Sequence, residues 1–308
     1  MSTTSFKMLS LNVKGLGNKS KRASIFRWLK KCKSDIIFIQ EAHCSPEIEN
    51  QWKREWGSTI IYSHGTSNSR GCLILFDSKL DFLIQSTKVD NKGRFIIISL
   101  LIQEEKFVFI NVYLPNTEKE QLIFFKDLHK VMHKENVSSL NNIIIGGDWN
   151  LIQNFALDKA GGINIKKEKS LEKLEELKNS LCLNDTWRIK NPSTKRFTWR
   201  QKTPLIQCRL DYFLTSDHIF DYIVELSTIP SIQSDHSAVS LLFQSHPEQK
   251  KGPGFWKFNN SLLEDKEFTK MLTLKINDVK RSQARKTDKH LCWEYIKYEI
   301  RSLCIKYS

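Results

Sequence analysis

Short apolar runs separated by polar turns dominate the first 244 residues, and they restrict the folds that this chain can adopt. Eight of these runs are 5–9 residues long: FKMLSL, DIIFIQ, CLILF, RFIIISLLI, KFVFINVYL, NNIIIGG, CRLDYFL and AVSLLF. Their length and their Ile, Val and Phe content predict strands that are covered on one or both faces. None approaches the roughly 18 apolar residues that a membrane span needs, so we expect a soluble protein without a membrane partner.

Stretches with helical spacing lie between some of these runs and not between others. The four stretches are Lys19–Lys33, Pro46–Trp56, Thr117–His133 and Lys169–Leu181. In the last of them, leucines recur at spacings of three and four, which is typical of an amphipathic helix. Because helices are not inserted between all strands, the pattern predicts mixed sheets of the α/β (α+β) class and not strict strand–helix alternation.

The sequence changes character at a polar connector containing Pro and Gly, Gln244–Gly254, which precedes two predicted helices, Leu262–Val279 and His290–Lys306. The second helix has a narrow apolar stripe made of Cys292, Ile296, Ile300 and Leu303. Two helices with so narrow a stripe make a poor independent core. We therefore expect a main domain over residues 1–244 and, over residues 245–308, a linker and basic helical tail that begin a longer protein.

The charge balance favours a polyanionic partner. The 48 Lys and Arg residues exceed the 34 Asp and Glu residues, which gives a net charge of +14 and a pI near 9.4. Such a surplus indicates nucleic acid or an anionic membrane surface, and charge alone does not choose between them. The seven cysteines form no C-x-x-C pair, which is typical of reduced thiols in the cytoplasm or nucleus.

Polar side chains follow or interrupt many of the predicted strands. They are Asn12, Glu41, Tyr113, Asp148, Asn150, Arg209, Asp211, Asp235 and His236. Strand ends and their loops are where a rigid scaffold presents catalytic groups. We expect these residues to converge on one rim of a sandwich of sheets, although each one alone is also explained as an ordinary turn residue or surface partner.

These residue types suit metal-assisted chemistry on a phosphate ester. Mg²⁺ prefers oxygen ligands and usually takes one or two carboxylates with phosphate and waters, which makes Glu41 the best single candidate ligand. An aspartate close to an asparagine orients a water for attack on phosphorus, and Asp148 and Asn150 fit that role. A histidine paired with a carboxylate stabilises charge on phosphate oxygens or assists the leaving group, which fits His236 with Asp211.

The order of the motifs resembles a known family over roughly residues 6–243. LNVKGL, IQEAH, NVYLPN, GGDWN, FTW, RLDYFL and SDHSAV follow one another as in the exonuclease–endonuclease–phosphatase superfamily. Within it, the chain looks most like the apurinic/apyrimidinic-type endonuclease domain of LINE-type non-LTR retrotransposons. The resemblance implies a four-layer α/β/β/α sandwich of two mixed sheets. Two further segments are similar to that branch: LDKAGG at Leu157–Gly162, and the stretch that begins at Gly252.

The resemblance also implies roles for individual residues. Asn12 and Glu41 would belong to the metal and phosphate site, with Asp235 at its metal end, and Tyr113 and Thr198 would contact the phosphate. Asp148 would orient the attacking water, and Asn150 would position the scissile phosphate. Asp211 would form a dyad with His236. Lys14 departs from the pattern of one branch of the family. Repair-type relatives often carry an acidic residue at this position, two residues after the first Asn. This substitution removes a possible metal ligand and argues against a repair enzyme.

A predicted β-hairpin, Phe197–Phe213, is the strongest candidate for contact with nucleic acid. By resemblance, this hairpin tunes where the enzyme nicks. Arg200 and Lys202 at its tip are placed to reach a groove of the duplex, and Thr198 and Arg209 on its strands complete the expected substrate-binding set. Seven basic residues within Lys19–Lys33 offer a second candidate surface, which is equally explained as a solvated helix face.

Two metal-binding patterns are incomplete. His129 and His133 lie four residues apart on a predicted helix, but no Glu follows the first His as a zinc protease requires. His43 and Cys44 lie next to Glu41, yet two such ligands do not make a zinc site.

The sequence thus predicts an endonuclease that uses Mg²⁺, with Mn²⁺ as a substitute, to nick double-stranded DNA and leave a 3′-hydroxyl. In a full-length element that hydroxyl would prime a reverse transcriptase domain of the same protein. Three alternatives remain open: an abasic-site repair endonuclease, a phosphodiesterase or phosphatase of the same fold, and a catalytically dead DNA-binding remnant.

Overall fold

The computed structural model of the chain describes residues 4–245, 260–283 and 289–307. The chain divides into two compact units, Met1–Pro247 and Glu248–Ser308. The first unit contains two six-stranded mixed sheets. In one sheet, the strands are β1 (Ser5–Asn12), β2 (Ile36–Gln40), β3 (Ile60–Ser63), β4 (Cys72–Phe76), β14 (Ile223–Ile229) and β15 (Ala238–Gln244), in the order β14-β15-β1-β2-β4-β3.

The strands of the other sheet are β5 (Leu83–Val89), β6 (Phe95–Ile102), β7 (Glu105–Tyr113), β8 (Ile143–Asp148), β10 (Leu183–Asp185) and β13 (Asp211–Ser216). Their order is β10-β13-β8-β7-β6-β5. We call the two the β1 sheet and the β7 sheet. Helices of the first unit are α1 (Lys19–Lys31), α2 (Glu49–Trp56), α3 (Glu118–Lys134), α4 (Phe155–Asp158), α5 (Glu168–Ser180) and α6 (Thr186–Lys190).

The inner faces of the two sheets pack against each other through an aromatic core. Phe6 stacks on Phe243 with ring centroids 4.8 Å apart and meets Phe107 edge-on at 5.1 Å, so β1, β15 and β7 are joined at one point. A fully buried phenylalanine contributes roughly 1.5–3 kcal/mol through the apolar area that it removes from water. This cluster holds the two sheets face to face.

Helices cover the outer faces. The apolar side of α1, with Ile25 and Leu29, packs on the β1 sheet together with Trp52 and Trp56 of α2. The outer face of the β7 sheet is covered by α3 and α5, whose Phe, Leu and Met side chains pack on it. The four-layer α/β/β/α sandwich of two mixed sheets is therefore confirmed. The N-terminus of α3 is capped by Thr117, whose hydroxyl accepts from the Glu120 N–H.

A small third sheet changes one prediction. The hairpin strands β11 (Trp199–Gln201) and β12 (Ile206–Cys208) pair with each other, and β12 also pairs with β9 (Lys159–Ala160) of the LDKAGG segment. The run CRLDYFL, predicted as one strand, is interrupted at Arg209 and Leu210 before β13 begins. At the interruption, Arg209 turns inward to two buried carboxylates.

The second unit is helical. Its described elements are a 3₁₀ turn at Asn260–Glu264 and two helices, α7 (Lys266–Gln283) and α8 (Lys289–Tyr307), close to the predicted spans. Of the predicted stripe, Ile296 is buried. The side chain of Cys292 and the beginning of the segment from Gly252 lie outside the described residues. No described helix is both long enough and apolar enough to cross a membrane.

Candidate active site

The inner faces of the central strands change from apolar to polar along the sandwich. On β1, alternate inward positions run from Phe6 through Ser10 to Asn12, and on β7 they end in Asn111 and Tyr113. Because successive side chains of a strand alternate between faces, these polar residues stay on the inner face that the phenylalanines occupy further along. They bring a polar rim to one end of an otherwise apolar interface.

Strand register places the polar residues beside one another. Asn12 is paired with Gln40 in the parallel β1–β2 ladder. Asp148 is paired with Tyr113 on one side and with Asp211 on the other. Within each sheet, residues that are far apart in sequence thus reach one rim through backbone pairing.

The Asn12 side chain joins residues from both sheets. Its Nδ2 donates to Glu41 Oε1 at 3.0 Å and to Asp148 Oδ2 at 2.9 Å, while its Oδ1 accepts from the Lys14 N–H at 3.0 Å. The residue is 1% exposed. A buried amide with its donors and its acceptor engaged fixes the separation of the two carboxylates.

Asp148 and Asn150 form a tight turn after β8. The Asn150 N–H donates to Asp148 Oδ1 at 3.0 Å, and its Nδ2 donates to the Leu114 carbonyl at 2.9 Å. Asn150 has a φ of +43°, and its carbonyl accepts from Lys167 Nζ at 2.9 Å. Burial, and then the neighbouring Asp211, raise the pKa of Asp148 to about 7.

His236 and Asp211 form a buried dyad. His236 Nδ1 lies 2.8 Å from Asp211 Oδ2, and its Nε2 lies 4.0 Å from Asp148 Oδ2. Burial opposes a charged imidazole, but the two carboxylates outweigh it, Asp211 first, and raise the pKa of His236 to about 9. His236 is therefore an imidazolium at neutral pH, with its free nitrogen facing Asp148.

Glu41 and Asp235 are the accessible carboxylates of the rim, with 23% and 29% of their side chains exposed. Glu41 has a φ of +50°, and its Oε2 is 3.7 Å from His43 Nε2. Asp235 Oδ2 is 2.8 Å from Lys14 Nζ. That hydrogen bond raises the pKa of Lys14, and the pKa of Asp235 is lowered although burial opposes the shift.

Two places at the rim could hold a divalent ion. Asp148, Asp211 and His236 each offer a ligand atom within 4.8 Å of the others, but His236 already supplies the positive charge between the two carboxylates. Glu41 offers a partly exposed carboxylate, and Asp235 Oδ1 is a buried oxygen without a hydrogen-bond partner among the described residues. Oxygen donors of this kind fit Mg²⁺ better than a set that includes an imidazole nitrogen.

Tyr113 lies between the candidate metal residues and a cationic side chain. Burial, together with the neighbouring Glu41 to which it hydrogen bonds, raises the pKa of the Tyr113 hydroxyl. The Arg94 guanidinium lies over its ring at 4.9 Å. The hydroxyl is therefore a proton donor at neutral pH, which suits contact with an anion.

The four residues expected to bind substrate occupy different environments. Arg200 and Lys202 are exposed on the β11–β12 hairpin. Thr198 is buried, and its hydroxyl accepts from the Leu210 and Asp211 N–H groups at 3.0 Å. Arg209 is 3% exposed and its guanidinium binds Asp158 and Asp185. The expectation that Arg209 contacts substrate is corrected, because its donors are engaged inside the protein.

One of the seven basic residues within Lys19–Lys33 is not part of an exposed surface. Arg22 is buried, binds Glu55 through two nitrogens, and lies 5.2 Å from the Trp52 ring centroid. It stabilises the packing of α1 on α2 and is not available to a ligand. His129 and His133, the dismissed zinc pattern, stack on each other on α3 with ring centroids 6.5 Å apart.

Sequence reasoning missed the polar side chains beneath the rim. Gln40 Nε2 donates to Asn111 Oδ1 at 2.7 Å, and Asn111 Nδ2 donates to the carbonyls of Ile39 at 3.0 Å and Leu73 at 2.8 Å. These bonds cross from the β7 sheet to the β1 sheet. Ser234 was also missed: its hydroxyl donates to the Asn12 carbonyl at 2.7 Å. The signal for Gln40 and Asn111 was a polar residue in an otherwise apolar strand, whereas Ser234 lies among other polar residues and carries no such signal.

Comparison with known proteins agrees with this geometry. Residues 9–236 match the Endonuclease/Exonuclease/phosphatase family. The chain is similar to a transposon TX1 uncharacterized 149 kDa protein of Xenopus laevis, with 29% identity over 302 residues; the match covers 97% of this chain and 23% of that protein. The chain therefore spans about a quarter of the length of this relative.

Two solved structures share the fold. The AP endonuclease LMAP from Leishmania major superposes with a TM-score of 0.65 and 18% identity, covering 79% of this chain and 88% of that one. The endonuclease domain of TRAS1, a telomere-specific non-LTR retrotransposon, superposes with a TM-score of 0.56 and 15% identity, covering 78% and 98%. At these identities the likeness shows a common fold.

Proposed function

Because the chain belongs to the Endonuclease/Exonuclease/phosphatase family, we propose that it is a Mg²⁺-dependent endonuclease that nicks double-stranded DNA and leaves a 3′-hydroxyl. The family comprises nucleases and phosphatases, which hydrolyse phosphoester bonds. The similarity to a transposon protein and to the TRAS1 domain supports nicking of a target site as the finer assignment.

The observation that carries this proposal is the Asn12 amide, which donates to Glu41 and to Asp148 at the same time. It places an accessible carboxylate and a buried one on two sides of a single group. His236 lies 4.0 Å from the same Asp148 oxygen. A phosphate that entered this rim would meet a candidate metal residue, a proton acceptor and an imidazolium together.

Glu41, with Asn12 and Asp235 beside it, would hold the divalent ion. When bound, Mg²⁺ supplies positive charge that stabilises negative charge developing on the phosphate oxygens. Mn²⁺ accepts similar oxygen ligands and would substitute.

The buried residues would carry out the proton transfer. Asp148 has a pKa of about 7, so near neutral pH it can accept a proton from a water that attacks phosphorus. Asn150, fixed against Leu114, would position the phosphate. The His236 imidazolium, oriented by Asp211, would donate a hydrogen bond to the phosphate while the bond between phosphorus and the 3′ oxygen breaks. A solvent water would supply the proton that converts the departing 3′ oxygen into a hydroxyl.

Contacts with DNA would extend from the rim to the hairpin. Arg200 and Lys202 are exposed on it, and Tyr113 would contact the phosphate at the rim. Thr198 is buried and would support the site by holding the Leu210 and Asp211 N–H groups. The β9 strand braces the hairpin, and Gly161 permits this: its φ is +77°, and a Cβ there would lie 2.3 Å from the Leu205 carbonyl oxygen. If about six phosphates are neutralised, log K should fall with log[salt] at a slope near −5.

We also propose that the chain is the endonuclease part of a longer protein. Residues 1–244 would form the endonuclease domain, and residues 245–308 would form a linker and basic tail leading towards a reverse transcriptase. The proposal is supported by the match to about a quarter of a 149 kDa transposon protein.

The test is conversion of supercoiled plasmid to open circles by the purified chain with Mg²⁺. EDTA, Asp148→Ala and His236→Ala should each abolish conversion. Asp81→Ala, which removes an exposed carboxylate outside the site, is the control and should nick normally. Binding of plasmid without nicking would identify a catalytically dead remnant, and strong preference for an abasic oligonucleotide would identify a repair enzyme.

A further inference from the structure

Lys14 brings a cation to the metal side of the rim. It follows Asn12 by two residues, in a left-handed conformation with a φ of +51°. Its Nζ lies 2.8 Å from Asp235 Oδ2, and its carbonyl accepts from Lys21 Nζ at 2.8 Å. The backbone turn around Asn12 therefore directs this ammonium to a carboxylate expected to face the ion.

The contacts of the three candidate metal residues are unequal. Asn12 turns its NH₂ group to Glu41 and Asp148, and its Oδ1 already accepts the Lys14 N–H. One oxygen of Asp235 is bound by the ammonium. Glu41 is left as the carboxylate without a lysine on it among the described ion pairs.

A lysine on Asp235 opposes a divalent ion at the same place. Two cations a few ångströms apart repel each other. The ammonium already holds Oδ2 of Asp235, so an ion at Oδ1 would have to share the carboxylate with it. The Lys14 side chain is 62% exposed, so this opposition is reduced by water and ions but not removed.

We propose that Lys14 serves as a built-in cation on Asp235 and weakens the binding of a divalent ion there. This chain therefore holds a single divalent ion, at Glu41. The inference rests on the proposed metal-dependent function and specifies which carboxylate the ion uses. Lys14 is a positioning residue in this account: it acts on the ion through Asp235.

The test measures Mn²⁺ binding to the free protein by titration calorimetry and by electron paramagnetic resonance, without DNA or turnover. The wild-type protein should bind one ion. Lys14→Met should bind Mn²⁺ roughly three- to tenfold more tightly, or gain a second ion, because Asp235 is released from its ion pair and a nearby like charge is removed. Lys19→Met removes the same charge from an exposed position on α1 and should leave Mn²⁺ affinity unchanged.

A double-mutant cycle isolates the ion pair. In an Asp235→Asn background, most of the gain from Lys14→Met should disappear, because no carboxylate remains for the lysine to hold and only the through-space repulsion is left. Unchanged or weaker Mn²⁺ binding by Lys14→Met, or a gain that keeps its full size without Asp235, overturns the inference while leaving the proposed function intact. Failure of the wild-type protein and of all variants to bind Mn²⁺ overturns both.

Discussion

The β1 sheet and the β7 sheet supply different kinds of carboxylate to the same rim. Glu41 and Asp235 follow or precede strands of the β1 sheet and keep 23% and 29% of their side chains exposed. Asp148 and Asp211 lie on strands of the β7 sheet, with 1% and none of their side chains exposed. We call these pairs the exposed half and the buried half of the site.

The difference in burial separates two tasks. A hydrated carboxylate can exchange one cation for another at little cost, which suits an ion that enters and leaves. A buried carboxylate keeps its hydrogen bonds, because an unpaired charge in the interior is expensive. The buried half is therefore arranged before substrate arrives, whereas the exposed half is completed by its ligand.

The largest effect should come from the buried half. Asp148→Asn keeps the size of the side chain and removes the carboxylate that we propose accepts a proton from water, so nicking should fall about 10²–10⁴-fold. Raising Mg²⁺ or Mn²⁺ should not restore it, because the missing function is proton transfer. The measurement is the rate of open-circle formation across a metal titration, and recovery at high metal would contradict the division between the halves.

A smaller and reversible effect is expected from the exposed half. Glu41→Gln weakens the candidate ion site and should lower nicking about 10²-fold at limiting metal, since a bound ion supplies several kcal/mol of charge stabilisation. Unlike Asp148→Asn, this variant should recover as Mn²⁺ is raised. A rate that stays low at every metal concentration would show that Glu41 acts otherwise.

Whether a strand could be predicted from the sequence also depends on whether the strand is buried or exposed. The eight strands expected from apolar runs are the interior strands of the two sheets. The four that were missed, β3, β5, β10 and β14, are the four edges. Edge strands such as β5 have largely exposed side chains and therefore lack the continuous apolar run that reveals a buried strand.

The candidate site divides in a similar way. Residues such as Glu41 and His236 were named because a polar group at a strand end is visible in sequence. The inward turn of Arg209 and the ion pair of Lys14 with Asp235 were not predictable, since each depends on partners brought close by tertiary packing. The role of Asn111 also depends on tertiary packing. Its one sign in the sequence is that it is a polar residue inside a run of apolar residues.

Asn111 allows a test of whether the two halves must be held in register. Asn111→Leu removes three hydrogen bonds that cross between the sheets directly beneath the rim. A displacement of about 1 Å between the halves should lower nicking by roughly 10- to 10²-fold. Phe109→Leu, two residues along the same inner face, is the control: it loses ring contacts with Phe6 and Phe38.

The two variants should separate stability from activity. Both variants should unfold at a lower temperature than the wild-type protein. Each should lose about 1–3 kcal/mol of its free energy of unfolding. Only Asn111→Leu should nick slowly, with a reduced maximal rate at saturating DNA. Equal loss of activity in both, in proportion to their stability, would mean that the bridge is a packing feature with no specific influence on the site.

His236 joins the halves through its bond to Asp211, and its charge should make the stability of the protein depend on pH. Its pKa is raised from 6.5 to about 9 on folding, so its contribution is fully present below pH 6.5 and is lost as pH rises through 9. In EDTA, urea unfolding should show that His236→Gln lowers the free energy of unfolding by about 3 kcal/mol at pH 6 and by much less at pH 9.5.

Asp211→Asn removes the partner that raises this pKa, so in that background the cost of His236→Gln should vary little with pH. A cost in the wild-type background that is equal at both pH values would mean that the imidazole is neutral in the folded protein, leaving the two buried carboxylates without a compensating cation.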